Sequence, residues 1–387
     1  MENNNSDLLF SLLRFELFSK DLTEEEKNSA YQNISSLMKL SKKQDLAHLI
    51  ADAFIRLGLV SKEDEVFEKL EKEKLSAIFR SVKMERELFA ITGALTEAGI
   101  VHIPLKGSVI RALYPEPYMR TSCDIDLLVK EEDLSAAVKV LEEKLKYTTD
   151  GERKFHDISL YSPSGIHLEL HFSILENHDS LDRVLIRVFD YVKESKPGSF
   201  TYELSSEFLV FHVLAHASYH FIRGGSGIKP FIDLYLLNQK IKYDREKLLL
   251  LCREAGIEKF LDAAQLLCQS WFGGAEHSEL TKKMEGYIFN GGVYGTAKNA
   301  AVVEQAKGGG KFKRIMTLIF MPYETLKTIY PSLENRRFLT PIYQVRRWFR
   351  ILFGGRLGKA VKTIKTNAMV SEEARKEATE LFTELGL

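Results

Sequence analysis

Between residues 100 and 175 the spacing of apolar side chains changes from three-and-four to two, and this interval constrains how the rest of the chain can fold. VHIP (101 to 104), DIDLLVK (124 to 130), KFHDISLYS (154 to 162) and GIHLELHF (165 to 172) alternate as strands do. Helical patterns at 107 to 114 and 131 to 145 separate them. As the only sheet-forming part of the chain, the interval predicts a small mixed sheet interleaved with helices.

Both flanks read as helix. Thr23 and Glu26 make a capping box. Ser61 opens a long pattern running through Leu70, Leu75, Ile78, Phe79, Val82, Phe89 and Leu95, and Gly99 suits its end. Further on, Ser205 or Ser206 caps EFLVFHVLAHASYHFI, Pro230 opens FIDLYLLNQK, Asp244 opens REKLLLLCREAG and Ser371 begins the last helix. The expected class is α+β. Its parts are an N-terminal helical region over 1–74, a sheet-bearing core over 75–200 and a C-terminal helical domain over 201–387. KGGGK (307 to 311) and SKPGS (195 to 199) are the linker candidates.

Composition narrows the function classes. At 387 residues the chain can bury two or three cores without staples. Its 54 Lys+Arg balance 54 Asp+Glu, which removes the simplest argument for a nucleic-acid coat. Cys123, Cys252 and Cys268 are too widely and irregularly spaced for a disulfide framework or a zinc site. MENNNSDLLFSLLRFELF lacks a basic leader and a cleavage site, and no run approaches the roughly 18 apolar residues of a membrane span. These features predict a soluble, cytoplasmic protein.

The chemistry-bearing residues fall inside the period-two interval. Leu105-Lys106-Gly107-Ser108 follows a strand and precedes a helical pattern, where backbone N–H groups can approach a phosphate. In Asp124-Ile125-Asp126 both carboxylates project from one strand face, an arrangement that is costly unless a cation lies between them. Ile166-His167-Leu168-Glu169-Leu170-His171 repeats the alternation with Glu169 on the polar face. Three carboxylates on neighbouring strands form an oxygen-rich site suited to Mg²⁺.

Gly107-Ser108, Asp124-Ile125-Asp126 and Leu168-Glu169-Leu170, in this order, resemble the nucleotidyltransferase superfamily pattern of the DNA polymerase beta type. The longer run IPLKGSVIRALYPEPYMRTSCDIDLLV is similar to a bacterial family of largely uncharacterised nucleotidyltransferases within it. The resemblance implies a nucleotidyltransferase core followed by a helical domain that helps hold substrates. It also implies that Gly107 and Ser108 contact nucleotide phosphates, that Asp124 and Asp126 hold two Mg²⁺ ions, and that Glu169 is the third carboxylate. Ser108 and Asp124 stand somewhat farther apart than is usual in the superfamily.

The implied reaction moves a nucleoside monophosphate from an NTP, with ATP the default, to a small-molecule or protein acceptor, and releases pyrophosphate. Lys106 and Arg120 are candidates to neutralise phosphate charge. His167 and His171 share the Glu169 face, where either can orient a metal-bound carboxylate or simply cover the sheet, with His171 the candidate for the first role; His216, His220 and Asp233 are candidates for the substrate side. His212, His216 and His220 recur every four residues, but HVLAH lacks the Glu of a metalloprotease helix. Residues 311 to 366 carry 13 Lys/Arg and two acids with interspersed aromatics. A solvated helical face is the commoner explanation for such a segment, and an anionic partner, a membrane surface and RNA are the alternatives. Nucleic acid is not the expected partner. Two competing readings remain, an inactive nucleotide-binding interaction module and an RNA-modifying transferase. Three mutually repelling acids on one face argue against the first, and overall neutrality argues against the second.

Overall fold

The computed structural model describes residues 2–150, 153, 155–293, 295–308, 310–355 and 357–387. Lys154 of the third strand pattern, Gly309 of the KGGGK segment and Arg356 of the basic segment lie outside the described residues. The chain divides into two compact units, one formed by 1–219 and 228–281 and the other by 220–227 and 282–387.

The first unit opens with α1 (Glu2–Phe18), α2 (Glu24–Gln32), α3 (Ile34–Lys43) and α4 (Ala47–Arg56). The Thr23 hydroxyl accepts from the Glu26 amide while Glu26 reaches back to the Thr23 amide, so the capping box sets where α2 begins. The next helix, α5 (Phe67–Glu97), is continuous over 31 residues and ends before Gly99 at φ 70°. It starts later than Ser61 because the Ser61 amide is taken by Asp64 Oδ2 in a local turn. Its buried face carries Leu70, Ala77, Met84 and Ile91, each seven residues after the last, whereas Leu75, Phe79, Val82 and Phe89 face solvent.

The sheet follows as β1 (His102–Pro104), α6 (Gly107–Ile110), β2 (Asp124–Val129), α7 (Leu134–Leu145), β3 (Thr148–Thr149), β4 (Asp157–Tyr161) and β5 (His167–His171). Strand order is β1-β2-β5-β4-β3, with β2 and β5 parallel and the other neighbours antiparallel. Alternation sorts the two faces. Ile125, Leu127 and Val129 join Leu168 and Leu170 in a core closed by Met84, Ile91 and Leu95 of α5 and Leu134, Ala137 and Leu141 of α7. The class is α+β, as the change of period predicts.

One expectation fails here. The 100–175 interval does not hold all the strands, because α8 (Asp179–Leu185) is followed by an antiparallel ribbon of β6 (Val192–Glu194) and β7 (Tyr202–Leu204). The SKPGS segment is the turn of this ribbon, with Gly198 at φ 76° and the Ser195 amide bonded to Thr201 O. Three-residue strands are too short to display a period, so only the turn signal was legible.

The unit continues with most of α9 (Ser206–Phe221), then α10 (Lys229–Lys240), α11 (Arg245–Glu254) and α12 (Glu258–Cys268). Ser205 Oγ accepts from the Phe208 amide, and Asp244 accepts from the amides of Glu246 and Lys247.

The second unit holds most of α13 (Glu279–Gly291), then α14 (Ala297–Gly308), α15 (Lys311–Ile319), α16 (Tyr323–Ile329), α17 (Thr340–Phe353), α18 (Leu357–Ala368) and α19 (Glu372–Leu385), with Ser371 as the last cap. Two glycine turns meet inside it. A Cβ on Gly295 would lie 2.8 Å from Gly224 O, and one on Gly224 would lie 2.6 Å from the Ala300 amide nitrogen, so 220–227 packs backbone to backbone against 291–300. Among the described residues no helix is long and apolar enough to cross a membrane.

Candidate functional site

The Lys106-Gly107 turn joins β1 to α6. The Ser108 amide donates to Leu105 O at 3.0 Å, and Lys106 sits at φ 40°, ψ −115°, the first central position of a type II′ turn and one that favours glycine. Holding a lysine there costs on the order of 1–3 kcal/mol, which the surrounding structure offsets. Gly107 is required by space. A Cβ on it would lie 2.6 Å from Arg120 Nη1, and Arg111 Nε donates to its carbonyl at 3.0 Å. The helix that follows lasts one turn before tightening, so its dipole is small; the Ser108 amide closes the turn, and the Gly107 amide and Ser108 hydroxyl are the donors left for an anion.

The acids come together through strand register. Across the parallel pair Asp124 lies opposite His167, Asp126 opposite Glu169 and Leu128 opposite His171. Since β2 and β5 pair residue for residue, one face presents Asp124, Asp126, His167, Glu169 and His171 together. The ligand atoms of Asp124, His167 and Glu169 all lie within 4.8 Å of one another, as do those of Asp126, Glu169 and His171, so Glu169 belongs to both groups. His171 Nε2 is 2.9 Å from Asp126 Oδ1 and 3.6 Å from Glu169 Oε2, and Lys106 Nζ is 3.6 Å from Asp126 Oδ1.

The charges differ in their fate. Burial works against ionising Asp126, but Lys106 and His171 outweigh it and hold the carboxyl well below the usual range. Asp124 and Glu169 go the other way, raised first by burial and then by the negative charge of Asp126. Burial also opposes the Lys106 charge, yet Asp126, Glu176, Asp124 and Glu169 together raise its pKa. The site is thus short of positive charge around Asp124 and Glu169.

These residues fit a divalent cation. His167 Nε2 is a buried ring nitrogen with no hydrogen-bond partner, beside Asp124 and Glu169, and a cation would satisfy it and relieve the carboxylate repulsion. Asp124, Asp126 and Glu169 would supply the hard oxygens suited to Mg²⁺ or Mn²⁺. The imidazole of His167 would tilt the preference toward Mn²⁺.

Other candidates separate by location. Arg120 donates from Nε and Nη2 to Asp233 at 2.9 and 2.7 Å, and Tyr114 donates to the same carboxylate at 2.7 Å, so Arg120 and Asp233 form a buried brace behind Gly107. His216 Nδ1 donates to Glu176 at 2.7 Å, and Glu176 is among the acids that raise the Lys106 pKa. Burial and then Lys106 push the His212 pKa down to about 3. His220, exposed at the end of α9, is grouped with the second unit. Sequence reasoning missed Glu176, His167 as a ligand candidate, and Arg111, whose Nη2 holds Ser122 Oγ at 3.0 Å. His167 was visible in the alternation. Glu176 lies in an irregular loop after β5, where no spacing marks it.

A family model for uncharacterised nucleotidyltransferases matches residues 31–273. The chain belongs to this family. No curated protein matches the sequence. The matched span contains the Lys106 turn, both acid strands and helices α9 to α12, so membership in the nucleotidyltransferase family covers the whole site described above. Nucleotidyl transfer is therefore the class of activity, and the protein is an enzyme.

Proposed function

We infer that the enzyme moves a nucleoside monophosphate from an NTP, with ATP the default donor, to a nucleophile on a small molecule or a protein side chain, with pyrophosphate leaving. The observation that carries this reading is the register placing Asp126 opposite Glu169, with Asp124 on the same face and Lys106 Nζ 3.6 Å from Asp126. Divalent cations held by Asp124, Asp126 and Glu169 would neutralise phosphate charge and acidify the acceptor. His171 fixes the orientation of Asp126 by donating to Oδ1. Lys106 is placed to meet phosphate charge on the leaving side, and the Gly107 amide and Ser108 hydroxyl to contact phosphate oxygens. Glu169, whose pKa burial and Asp126 raise, is suited to take the acceptor's proton.

The test supplies each α-labelled NTP with Mg²⁺ or Mn²⁺ and a cell extract, and identifies what becomes labelled. Wild type should transfer label from at least one NTP, and Asp124→Asn with Asp126→Asn should lose both transfer and cation-dependent nucleotide binding. Glu169→Gln should keep much of the binding while transfer falls by about 10²-fold or more. Tight nucleotide binding with no transfer to a wide acceptor panel would replace this reading with an inactive nucleotide-binding module.

A further inference from the structure

Helix α17 in the second unit is built inside out. Gln344 and Arg347 are only 7% and 8% exposed, whereas Ile342, Phe349 and Phe353 are 63%, 57% and 80% exposed. The buried polar side is fully used. Gln344 Nε2 donates to Met321 O, Arg347 donates to Leu318 O and Ile319 O at 2.6 and 3.0 Å, and Trp348 Nε1 donates to Ile319 O at 3.0 Å. Arg347 thereby satisfies carbonyls at the end of α15, where a cation is favoured. The outward side has the period of one helical face, since Ile342, Val345, Phe349 and Phe353 follow at spacings of three and four.

The neighbouring helices repeat the pattern. On α15, Phe312 and Met316 lead to Phe320 just beyond its end, all exposed and four residues apart. Helix α18 packs against both α15 and α17 and shows Leu357 and Val361 to solvent, interleaved with exposed Lys359, Lys362 and Lys365. Arg346 and Arg350 flank the α17 ridge, stacked over the Tyr330 ring at 5.6 and 5.1 Å. Across 311 to 366 there are 13 cations and two acids. A purely solvated face would not spend its largest aromatics outward, and a neutral protein partner would not need this excess of cations.

We propose that α15, α17 and α18 form a peripheral membrane-binding surface, which sinks the apolar ridge of α17 into the interface of an anionic lipid layer while the surrounding lysines and arginines meet its headgroups. The proposal does not rest on the nucleotide chemistry, so success or failure of either reading leaves the other standing.

Flotation of the full chain with lipid vesicles tests it at physiological salt. The protein should float with vesicles of phosphatidylcholine and phosphatidylserine in a two-to-one ratio and remain below with phosphatidylcholine alone. Phe349→Ser with Phe353→Ser should weaken binding at least tenfold. Because both rings are exposed, circular dichroism should show the fold retained. Neutralising Lys359, Lys362 and Lys365 to Gln should weaken binding by about fivefold per charge at most. Absence of flotation with anionic vesicles, or flotation undiminished in the Phe variant, would overturn the proposal. A dimer dissociated by the Phe variant, in a protein that ignores vesicles, would assign the ridge to a second copy of the chain, and RNA binding lost in the Lys variant without lipid binding would assign it to nucleic acid.

Discussion

Lys106 keeps a conformation that glycine adopts more readily, and it does so with its ammonium 3.6 Å from Asp126. Two substitutions separate strain from charge. Lys106→Met and Lys106→Gly both leave Asp126 without its cation, so both should weaken nucleotide binding. Only glycine relieves the turn, and Lys106→Gly should unfold in urea with a stability about 1 kcal/mol above that of Lys106→Met. Equal stabilities would mean that the turn stores no strain. At this scale the alternation of Asp124, Asp126, Glu169 and His171 was legible, because a strand's period of two decides which side chains share a face. Partners brought from a distance were not: nothing in the spacing shows that Arg120 answers Asp233, or that Glu176 meets His216 from a loop.

Among the elements, α1 and α4 meet through buried acids. Glu16 of α1 pairs with Arg56 at 3.1 Å, and Asp52 of α4 takes Lys74 of α5 and the hydroxyl of Tyr118. Burial, and then the charge of Asp52, push the Glu16 pKa up to about 7. The folded chain therefore holds a proton that the unfolded chain loses at the ordinary value of 4.5, so stability falls as pH rises from there to about 7 and levels off above. Glu16→Gln removes this titration. Its unfolding free energy, read from urea curves, should change less between pH 5 and pH 7 than that of wild type, by on the order of 2 kcal/mol. Parallel curves for the two proteins would show that Glu16 does not carry the proton. Helix α5 illustrates what an apolar pattern conceals. Its end before Gly99 was readable, whereas its start and its continuity as one helix were not, and Phe79, Val82 and Phe89 proved exposed, because the buried face was selected by the seven-residue series from Leu70 to Ile91.

The whole molecule is two compact units, of which one carries the sheet and its acids. Scanning calorimetry should resolve two heat absorptions. Magnesium ATP at a hundredfold excess over Kd should raise only the one belonging to the sheet-bearing unit, by about 5–10 °C, and the Asp124→Asn, Asp126→Asn variant should show no such rise. A single absorption, or equal shifts in two, would refute this division of labour. The way the chain threads the units has a further meaning for inheritance. Residues 220–227 lie inside the family-matched span, yet they pack against 291–300 beyond it and also join α9, which carries His216, to α10, which carries Asp233. The last hundred residues are therefore not an appendage that gene shuffling could trim or exchange at a clean joint. A cut near residue 281 would strip the Gly224 backbone of its cover in the turn that joins α9 to α10, so a chain shortened there loses packing at a turn inside its own family-matched span.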